Sequence, residues 1–209
     1  MQILSHRGYW LKEDERNKRE AFIRSFDQGF GTETDLRDIC GKIVISHDMP
    51  MGDEISFEEV LQIMDGRNLP LALNIKADGQ GERIKELLKK YNHTNYFTFD
   101  MSIPDMVVQI NSNLNVFTGQ SDILAQAVLL DKAKGVWLDS FYSDWFSSDD
   151  IDNIISASKK VCIVSADLHK RDTTKQWELI KQCKNLADSN LLLCTDKPME
   201  AKEYFNGKD

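Results

Sequence analysis

The side chains of this sequence that are best suited to chemistry fall within residues 1–76, each close to the end of a short apolar run. They are two histidines, two carboxylates, an amide and two cations: His6, His47, Glu33, Asp35, Asn74, Arg7 and Lys76. Charge placed on buried structure is costly unless it is paired or used. The clustering of these residue types therefore predicts a functional site.

The acidic residues indicate a metal. Glu33 and Asp35 are separated by one residue in GTETDLRD, and Asn74 supplies a further oxygen in LPLALNIK. Two carboxylates with a third oxygen donor suit a hard divalent cation such as Mg²⁺ or Ca²⁺, which would also relieve the repulsion between the carboxylates. We therefore expect a divalent metal as the cofactor, with Glu33, Asp35 and Asn74 as its ligands.

The cations and histidines indicate the reaction. Arg7 and Lys76 can neutralise a phosphoryl group, the arginine through its bidentate fork and the lysine as a point charge. His6 and His47 can move protons near neutral pH, one to activate a nucleophile and the other to protonate a leaving oxygen. These four residues are the predicted catalytic set, and the predicted reaction is cleavage of a small phosphodiester.

The elements that must position these residues follow a regular alternation. Eight short apolar runs, separated by stretches of helical period, occupy residues 3–8, 32–38, 69–76, 95–100, 115–119, 135–141, 160–166 and 190–196. Strand followed by helix, eight times over, predicts parallel βα units closed into a (β/α)₈ TIM barrel, an α/β fold. An open doubly wound sheet is the alternative. Residues 42–48, which follow Cys40 and Gly41, predict a hairpin extension of the second strand.

This fold brings the polar residues to one place. Side chains two apart on a strand share a face, which pairs Glu33 with Asp35 and Asn74 with Lys76. Each pair lies toward the C-terminal end of its run, and His6 closes the first run. In a (β/α)₈ barrel these ends form the mouth where active sites are built. The predicted site is therefore the mouth formed by the first three strands.

Composition sets the class of protein. The chain has 209 residues, 41% of them hydrophobic, and a net charge of −8, so we expect one domain over residues 1–209 and no nucleic-acid partner. No run approaches the roughly 20 apolar residues of a membrane span, and the first residues do not resemble a signal peptide. Four cysteines without CxxC spacing favour reduced thiols and a cytoplasmic location. The expected partner is a small-molecule phosphodiester substrate, and the oligomeric state is left open.

The motifs also resemble a known family. SHRGYW, Asn17 ahead of Phe22 in NKREAF, GTETDLRD and VISHD resemble the HRG, N-T-x-x-AF, E-x-D and HD signature of the glycerophosphodiester phosphodiesterases. That family belongs to the phospholipase-C-like TIM-barrel phosphodiesterases. The resemblance implies the following roles: an acid/base pair of His6 and His47, phosphate contacts from Arg7 and Lys76, and metal ligands in Glu33 and Asp35.

The chain departs from the family at three points. Asn74 stands where the family has a third acidic metal ligand, so the metal binds more weakly, a carboxylate such as Asp139 or Asp167 substitutes, or no metal is used. Only residues 49–55 stand where the family has an insertion after the HD motif, and residues 164–167 lack the family's tryptophan. Two alternatives to hydrolysis therefore stay open: a cyclising phosphodiesterase on the same scaffold, and a catalytically silent barrel that binds a phosphate ligand.

Other polar and aromatic residues have simpler interpretations. We expect His93 and His169 to be hydrogen-bonded structural residues, and Trp137, Trp145 and Trp177 to lie in the core or at its rim. The acidic stretch at residues 147–152 predicts a helix N-terminus, where serine caps the backbone and aspartate complements the helix dipole.

Overall fold

The protein, described here by a computed structural model over residues 1–207, alternates strands with helices. The strands are β1 (Gln2–His6), β2 (Gly31–Ile39), β3 (Lys42–Ile45), β4 (Leu71–Ile75), β5 (Tyr96–Phe99), β6 (Phe117–Gln120), β7 (Gly135–Leu138), β8 (Lys160–Val164) and β9 (Leu191–Thr195). The helices are α1 (Arg19–Asp27), α2 (Phe57–Met64), α3 (Gly81–Lys90), α4 (Ile103–Asn111), α5 (Ser148–Ser156), α6 (Thr174–Lys181) and α7 (Pro198–Asn206).

Helix starts follow local capping chemistry. Ser56 begins α2 with a capping box, since its hydroxyl accepts from the Glu59 N–H and the Glu59 carboxylate accepts from the Ser56 N–H. Ser147 and Asp150 form the same arrangement at α5. This confirms the prediction that the acidic stretch at 147–152 begins a helix.

The described chain divides into two compact units, Ser5–Val116 and a second unit that joins Met1–Leu4 to the chain from Phe117 onward. In Ser5–Val116, β2 pairs in parallel with β4, and β4 pairs in parallel with β5. In the second unit, β6, β7, β8 and β9 pair in parallel in that order. The single-domain assignment for 1–209, whose last two residues lie outside the described part, stays a prediction.

The strand order identifies the fold class. In the order β5-β4-β2-β1-β9-β8-β7-β6, each strand lies beside the parallel strand that precedes or follows it along the chain, and the first strand, β1, also lies beside the last, β9. A doubly wound sheet would reverse this order at a switch point, whereas a (β/α)₈ fold does not. The predicted TIM-barrel class is therefore confirmed.

The hairpin extension is confirmed as well. β3 lies antiparallel to the C-terminal half of β2, with Leu36 opposite Ile45 and Ile39 opposite Lys42. It is the one strand outside the parallel series among residues 1–207.

One predicted helix is absent from the described residues. The chain between β6 and β7 forms turns instead of an eighth helix. Ser121 starts a turn by accepting from the Ile123 and Leu124 N–H groups, and Leu129 adopts a left-handed φ of 54° that a continuous helix does not allow. The strand–helix alternation predicted from the sequence is therefore broken at this one connection.

The strands β4 and β9 are buried at every residue, which is typical of parallel strands covered on both faces. No helix within residues 1–207 combines the length and the apolar character needed to cross a bilayer.

Candidate active site

All seven residues that the sequence singles out lie in the Ser5–Val116 unit. Glu33 and Asp35 are on β2, and Asp35 pairs in register with Asn74 on β4. Because alternate residues of a strand share a face and directly opposed residues point the same way, the three side chains lie on one face of this sheet. Their exposed fractions are only 2% for Glu33, 0% for Asp35 and 7% for Asn74.

A left-handed turn after β1 delivers the first cation. β1 ends at His6, and Arg7 and Gly8 follow with φ values of 59° and 82°. The Arg7 N–H donates to the Glu33 carbonyl at 2.9 Å, and a Cβ at Gly8 would lie 2.7 Å from the Ala21 Cβ. Position 8 therefore has neither the backbone angle nor the space for a side chain, which explains the glycine after His6 and Arg7.

Asp35 is the most heavily partnered group of the cluster. Arg7 Nε lies 2.9 Å from its Oδ2, and Lys76 Nζ lies 3.4 Å from its Oδ1. The Asn17 side-chain amide also donates to Oδ2 at 2.8 Å. The two predicted phosphate contacts are thus held on one buried carboxylate.

Asn17 links the loop before α1 to β2. Its side-chain carbonyl accepts from the Thr34 hydroxyl at 2.9 Å, and its backbone N–H donates to the Arg7 carbonyl at 2.9 Å. Its φ of 59° is one that asparagine tolerates better than most residues. The sequence indicated Asn17 only as part of a motif. In the structure Asn17 bonds both Asp35 and Arg7 and so helps to hold them in position.

Glu33 is a weaker acid than an ordinary glutamate. Burial, followed by the neighbouring charge of Asp35, raises its pKa to about 7, while His6, Arg7 and Lys76 act in the opposite direction. His6 Nε2 lies 3.8 Å from the Glu33 Oε2. The predicted imidazole and the predicted metal ligand are therefore neighbours.

The three predicted ligands share one further property. Glu33 Oε2, Asp35 Oδ1 and Asn74 Oδ1 are buried oxygen atoms that accept no hydrogen bond. The Asn74 amide nitrogen donates to Asp100 Oδ2 at 3.2 Å, which leaves the amide oxygen available. Hard oxygen donors of this kind fit Mg²⁺ or Ca²⁺. Within residues 1–207, no group of three or more His, Cys, Asp or Glu side chains is arranged to hold a metal. The set described here is of a different kind, because its third donor is the amide oxygen of Asn74.

His47 lies on the loop after β3. Its Nδ1 is 2.9 Å from Asp48 Oδ1, and its carbonyl accepts two hydrogen bonds from the Arg37 guanidinium. Half of its side chain is exposed, and it lines a cavity of about 210 Å³ together with Arg7. The structure thus brings His6, Arg7 and Lys76 to the carboxylates and places His47 on the cavity that Arg7 also lines.

The two acids considered as substitute metal ligands lie in the second unit and have partners there. Asp167 accepts from the Thr195 hydroxyl and from the Asp196 N–H at 2.7 Å. Asp139 Oδ1 lies 2.7 Å from His169 Nε2 and accepts from the Ser140 N–H at 2.7 Å. The Asp139–His169 pair escaped sequence analysis because 30 residues separate its members.

The simpler interpretations of other residues hold. His93 is buried, and its Nε2 lies 3.1 Å from the Asn95 carbonyl oxygen. Trp137 and Trp177 are buried in the core, and Trp145 is partly buried with its Nε1 donating to the Asp139 carbonyl.

Comparisons with known proteins support the fold. No protein-family model matches the sequence, and no curated protein matches it either. Solved structures do match, among them a glycerophosphodiester phosphodiesterase from Agrobacterium tumefaciens with a TM-score of 0.71 and 14% identity, covering 99% of this chain and 100% of that one.

Two further structures are similar over nearly the whole chain. A phosphodiesterase from Oleispira antarctica, in complex with the product sn-glycerol-3-phosphate, has a TM-score of 0.68 and 14% identity, covering 99% of this chain and 97% of that one. A glycerophosphoryl diester phosphodiesterase from Parabacteroides distasonis has a TM-score of 0.67 and 16% identity, covering 98% and 86%. The likeness establishes a shared fold.

Proposed function

We propose that this chain is a phosphodiesterase of the glycerophosphodiester phosphodiesterase family, which hydrolyses a small glycerophosphodiester with the help of a divalent metal. The observation that carries the proposal is the buried Glu33–Asp35 pair, which has His6 3.8 Å from one carboxylate and Arg7 2.9 Å from the other. The shared fold of solved phosphodiesterases and the N-terminal motifs support the same assignment.

The binding step uses the cations. Arg7 and Lys76 both reach Asp35 in the protein alone, so they stand together at the place where an anionic phosphoryl group would be held. Glu33, Asp35 and Asn74 would hold the divalent metal. When bound, such an ion stabilises negative charge on phosphoryl oxygens and lowers the pKa of a coordinated hydroxyl or water.

The proton transfers belong to the histidines. His6 lies beside Glu33, with its Nε2 3.8 Å from the Glu33 Oε2, and is therefore next to the proposed metal ligands. His47 lies beside Asp48, whose Oδ1 is 2.9 Å from Nδ1 and orients the ring. One histidine takes a proton from the attacking oxygen and the other returns a proton to the leaving oxygen, a contribution worth about 10²- to 10⁴-fold in rate.

A second candidate function is binding of a phosphate ligand without turnover. The observation that favours it is Asp35 itself, which already carries ion pairs to Arg7 and Lys76 and a hydrogen bond from Asn17. If the protein only binds its ligand, the carboxylates serve mainly to hold Arg7 and Lys76 in place for the phosphate.

Hydrolysis assays separate these functions. Glycerophosphocholine and glycerophosphoethanolamine would be incubated with the protein and Mg²⁺, Ca²⁺ or Mn²⁺, and products would be identified by phosphorus NMR. We expect sn-glycerol-3-phosphate; a cyclic phosphate would support the cyclising alternative. If no diester is cleaved while sn-glycerol-3-phosphate still raises Tm, the binding function replaces the enzymatic one.

Variants test the histidines. We expect His6→Ala and His47→Ala each to lower kcat/KM by roughly 10²- to 10⁴-fold with an unchanged Tm, because each loses one proton transfer. His93→Gln is the matched control, since His93 is a buried histidine of the same unit whose ring bonds the backbone of Asn95 and Leu69. A loss below tenfold in both alanine variants would remove these histidines from the mechanism.

A further inference from the structure

The side chain of Arg37 lies on the same face of β2 as two of the candidate metal ligands. Glu33, Asp35 and Arg37 are separated by one residue each along this strand, so their side chains point the same way. Glu33 and Asp35 are buried, whereas Arg37 lies near the end of the strand and is partly exposed. Arg37 is therefore the third side chain of the row to which the two carboxylates belong.

The Arg37 guanidinium links two main-chain carbonyls. Its Nε and Nη2 atoms each lie 3.1 Å from the His47 carbonyl oxygen, to which both donate. Its Nη1 atom donates to the Lys76 carbonyl at 3.3 Å. One planar group therefore connects the backbone of a proposed acid/base residue with the backbone of a proposed phosphate contact.

The two carbonyls lie just beyond the ends of two strands. β3 ends at Ile45 and β4 ends at Ile75, and both of these residues lie opposite Leu36 of β2. Regular strand pairing stops beyond them, and main-chain carbonyls at such ends need a donor from elsewhere. The Arg37 side chain, one residue past Leu36, supplies that donor on both sides of β2.

These hydrogen bonds fix the peptide groups next to the reactive side chains. The His47 carbonyl belongs to the peptide group that joins His47 to Asp48, and the Asp48 carboxylate lies 2.9 Å from the His47 ring. Lys76 places its ammonium 3.4 Å from Asp35 Oδ1. A displacement of about 1 Å at a reacting group can lower a rate by about 10²-fold. Contacts that fix the backbone of both residues therefore bear on catalysis.

We propose that Arg37 is a positioning residue, which holds His47 and Lys76 in the arrangement that proton transfer and phosphate binding require. This inference rests on the proposed function, because it adds a residue to the same site. Arg37 acts through the two carbonyls. Its planar fork carries the effect, since three donor atoms in one plane meet two acceptors.

Replacing the guanidinium tests this role. We expect Arg37→Met to lower kcat/KM for glycerophosphocholine or glycerophosphoethanolamine, whichever is cleaved faster, by about 10- to 100-fold in a folded protein. Arg37→Lys keeps the charge and loses the planar fork, so its kcat/KM should stay within about threefold of that of Arg37→Met. A loss below about threefold in Arg37→Met, or full recovery of kcat/KM by lysine, overturns the proposal.

Arg67→Met is the matched control. Arg67 belongs to the same unit, and its guanidinium also donates to two main-chain carbonyls, those of Met64 at 2.9 Å and Ile63 at 2.6 Å. These carbonyls belong to the end of α2 and not to the candidate site. We expect kcat/KM of Arg67→Met to stay within about twofold of the wild type. Equal losses in the two variants would show general destabilisation and contradict a positioning role for Arg37.

Double variants separate positioning from packing. If Arg37 acts through His47 and Lys76, Arg37→Met should cost less in His47→Ala or in Lys76→Met than in the wild type, because one of the two positioned groups is already missing. A merely structural role would add the same cost each time. Equal costs in all three backgrounds overturn the proposal.

NMR relaxation keeps this outcome separate from that of the proposed function. The amides of Asp48 and Ala77 belong to the two peptide groups that Arg37 bonds, and their order parameters are measured without substrate. We expect about 0.85 in the wild type and in Arg67→Met, and a fall toward about 0.6 in Arg37→Met. If the wild type cleaves no diester, the proposed function fails, yet loss of order at both amides still supports positioning by Arg37. Unchanged order at either amide overturns it.

Discussion

Glu33 links stability to pH at the level of a single residue. Its pKa is raised from 4.5 to about 7, chiefly by burial and then by Asp35. As pH rises from 4.5 to 7, the unfolded chain gives up this proton while the folded chain keeps it. The free energy of unfolding therefore falls across this interval and levels off above pH 7. The stabilising contribution is complete only below pH 4.5.

Replacing the Glu33 carboxyl with an amide should remove this pH dependence of the free energy of unfolding. In EDTA at pH 8, we expect Glu33→Gln to be more stable than the wild type by on the order of 3 kcal/mol, with the difference vanishing toward pH 4. Urea unfolding of both proteins at pH 4.5 and pH 8 measures this. Parallel pH profiles for the two proteins would show that Glu33 is not the titrating group.

Part of the candidate site is readable from residue spacing. The alternation of β2 predicts that Glu33 and Asp35 share a face, and their burial bears this out. The ion pairs of Arg7 and Lys76 with Asp35 depend instead on a left-handed turn and on the pairing of β2 with β4. Such contacts arise from tertiary structure, and no local pattern encodes them.

At the level of elements, Gly135 controls the pairing of β7. It lies opposite Phe117 on β6 and opposite Lys160 on β8. A Cβ at this position would lie 2.5 Å from the Lys160 carbonyl oxygen and 2.6 Å from the Phe117 ring. Both neighbours belong to paired strands, so relief requires movement of the sheet or of a buried ring.

We expect Gly135→Ala to lower the free energy of unfolding by about 1–3 kcal/mol, the usual cost of overpacking. Gly119→Ala on the adjacent strand is the control, because a Cβ there meets nothing within 4 Å. It should be neutral or slightly stabilising. Denaturant titration compares the two variants, and equal effects would contradict this packing argument.

Strands and helices can be predicted from the sequence where the spacing of apolar residues is regular. They cannot be predicted where contacts with distant parts of the chain determine the backbone conformation. The eight parallel strands follow from apolar runs, and the β2–β3 hairpin follows from Cys40 and Gly41. The alternation of strand and helix predicts a helix between β6 and β7, but this segment forms turns in which Leu129 takes a left-handed conformation. Strand bounds shifted too, since β1 ends at His6 and leaves Arg7 in a turn.

At the level of the whole molecule, the four cysteines differ sharply in access. All are free thiols; Cys40 is exposed at the β2–β3 turn, whereas Cys162, Cys183 and Cys194 are buried. Burial, reinforced by Asp152, raises the pKa of Cys183 to about 12. Since the thiolate is the reactive form, this residue is doubly protected.

We expect a disulfide reagent such as DTNB at pH 8 to modify one thiol per chain in the native protein and four in denaturant. Cys40→Ser should abolish the fast native reaction. Rapid modification of a second thiol without denaturant would show that the core opens on the time scale of the assay.

The short segment after His47 forms a loop whose ends are held together by hydrogen bonds and whose interior bonds mainly to itself. The Ile45 N–H bonds the Ile55 carbonyl, Glu54 ties down Met51 and Gly52, and Ser56 begins α2 with its own cap. Residues 49–53 lend no fully buried side chain to the core. Loop tips of this kind accept inserted domains. Splicing a circularly permuted fluorescent protein between Gly52 and Asp53 would turn the scaffold into a biosensor, with its reporter beside the cavity that His47 lines.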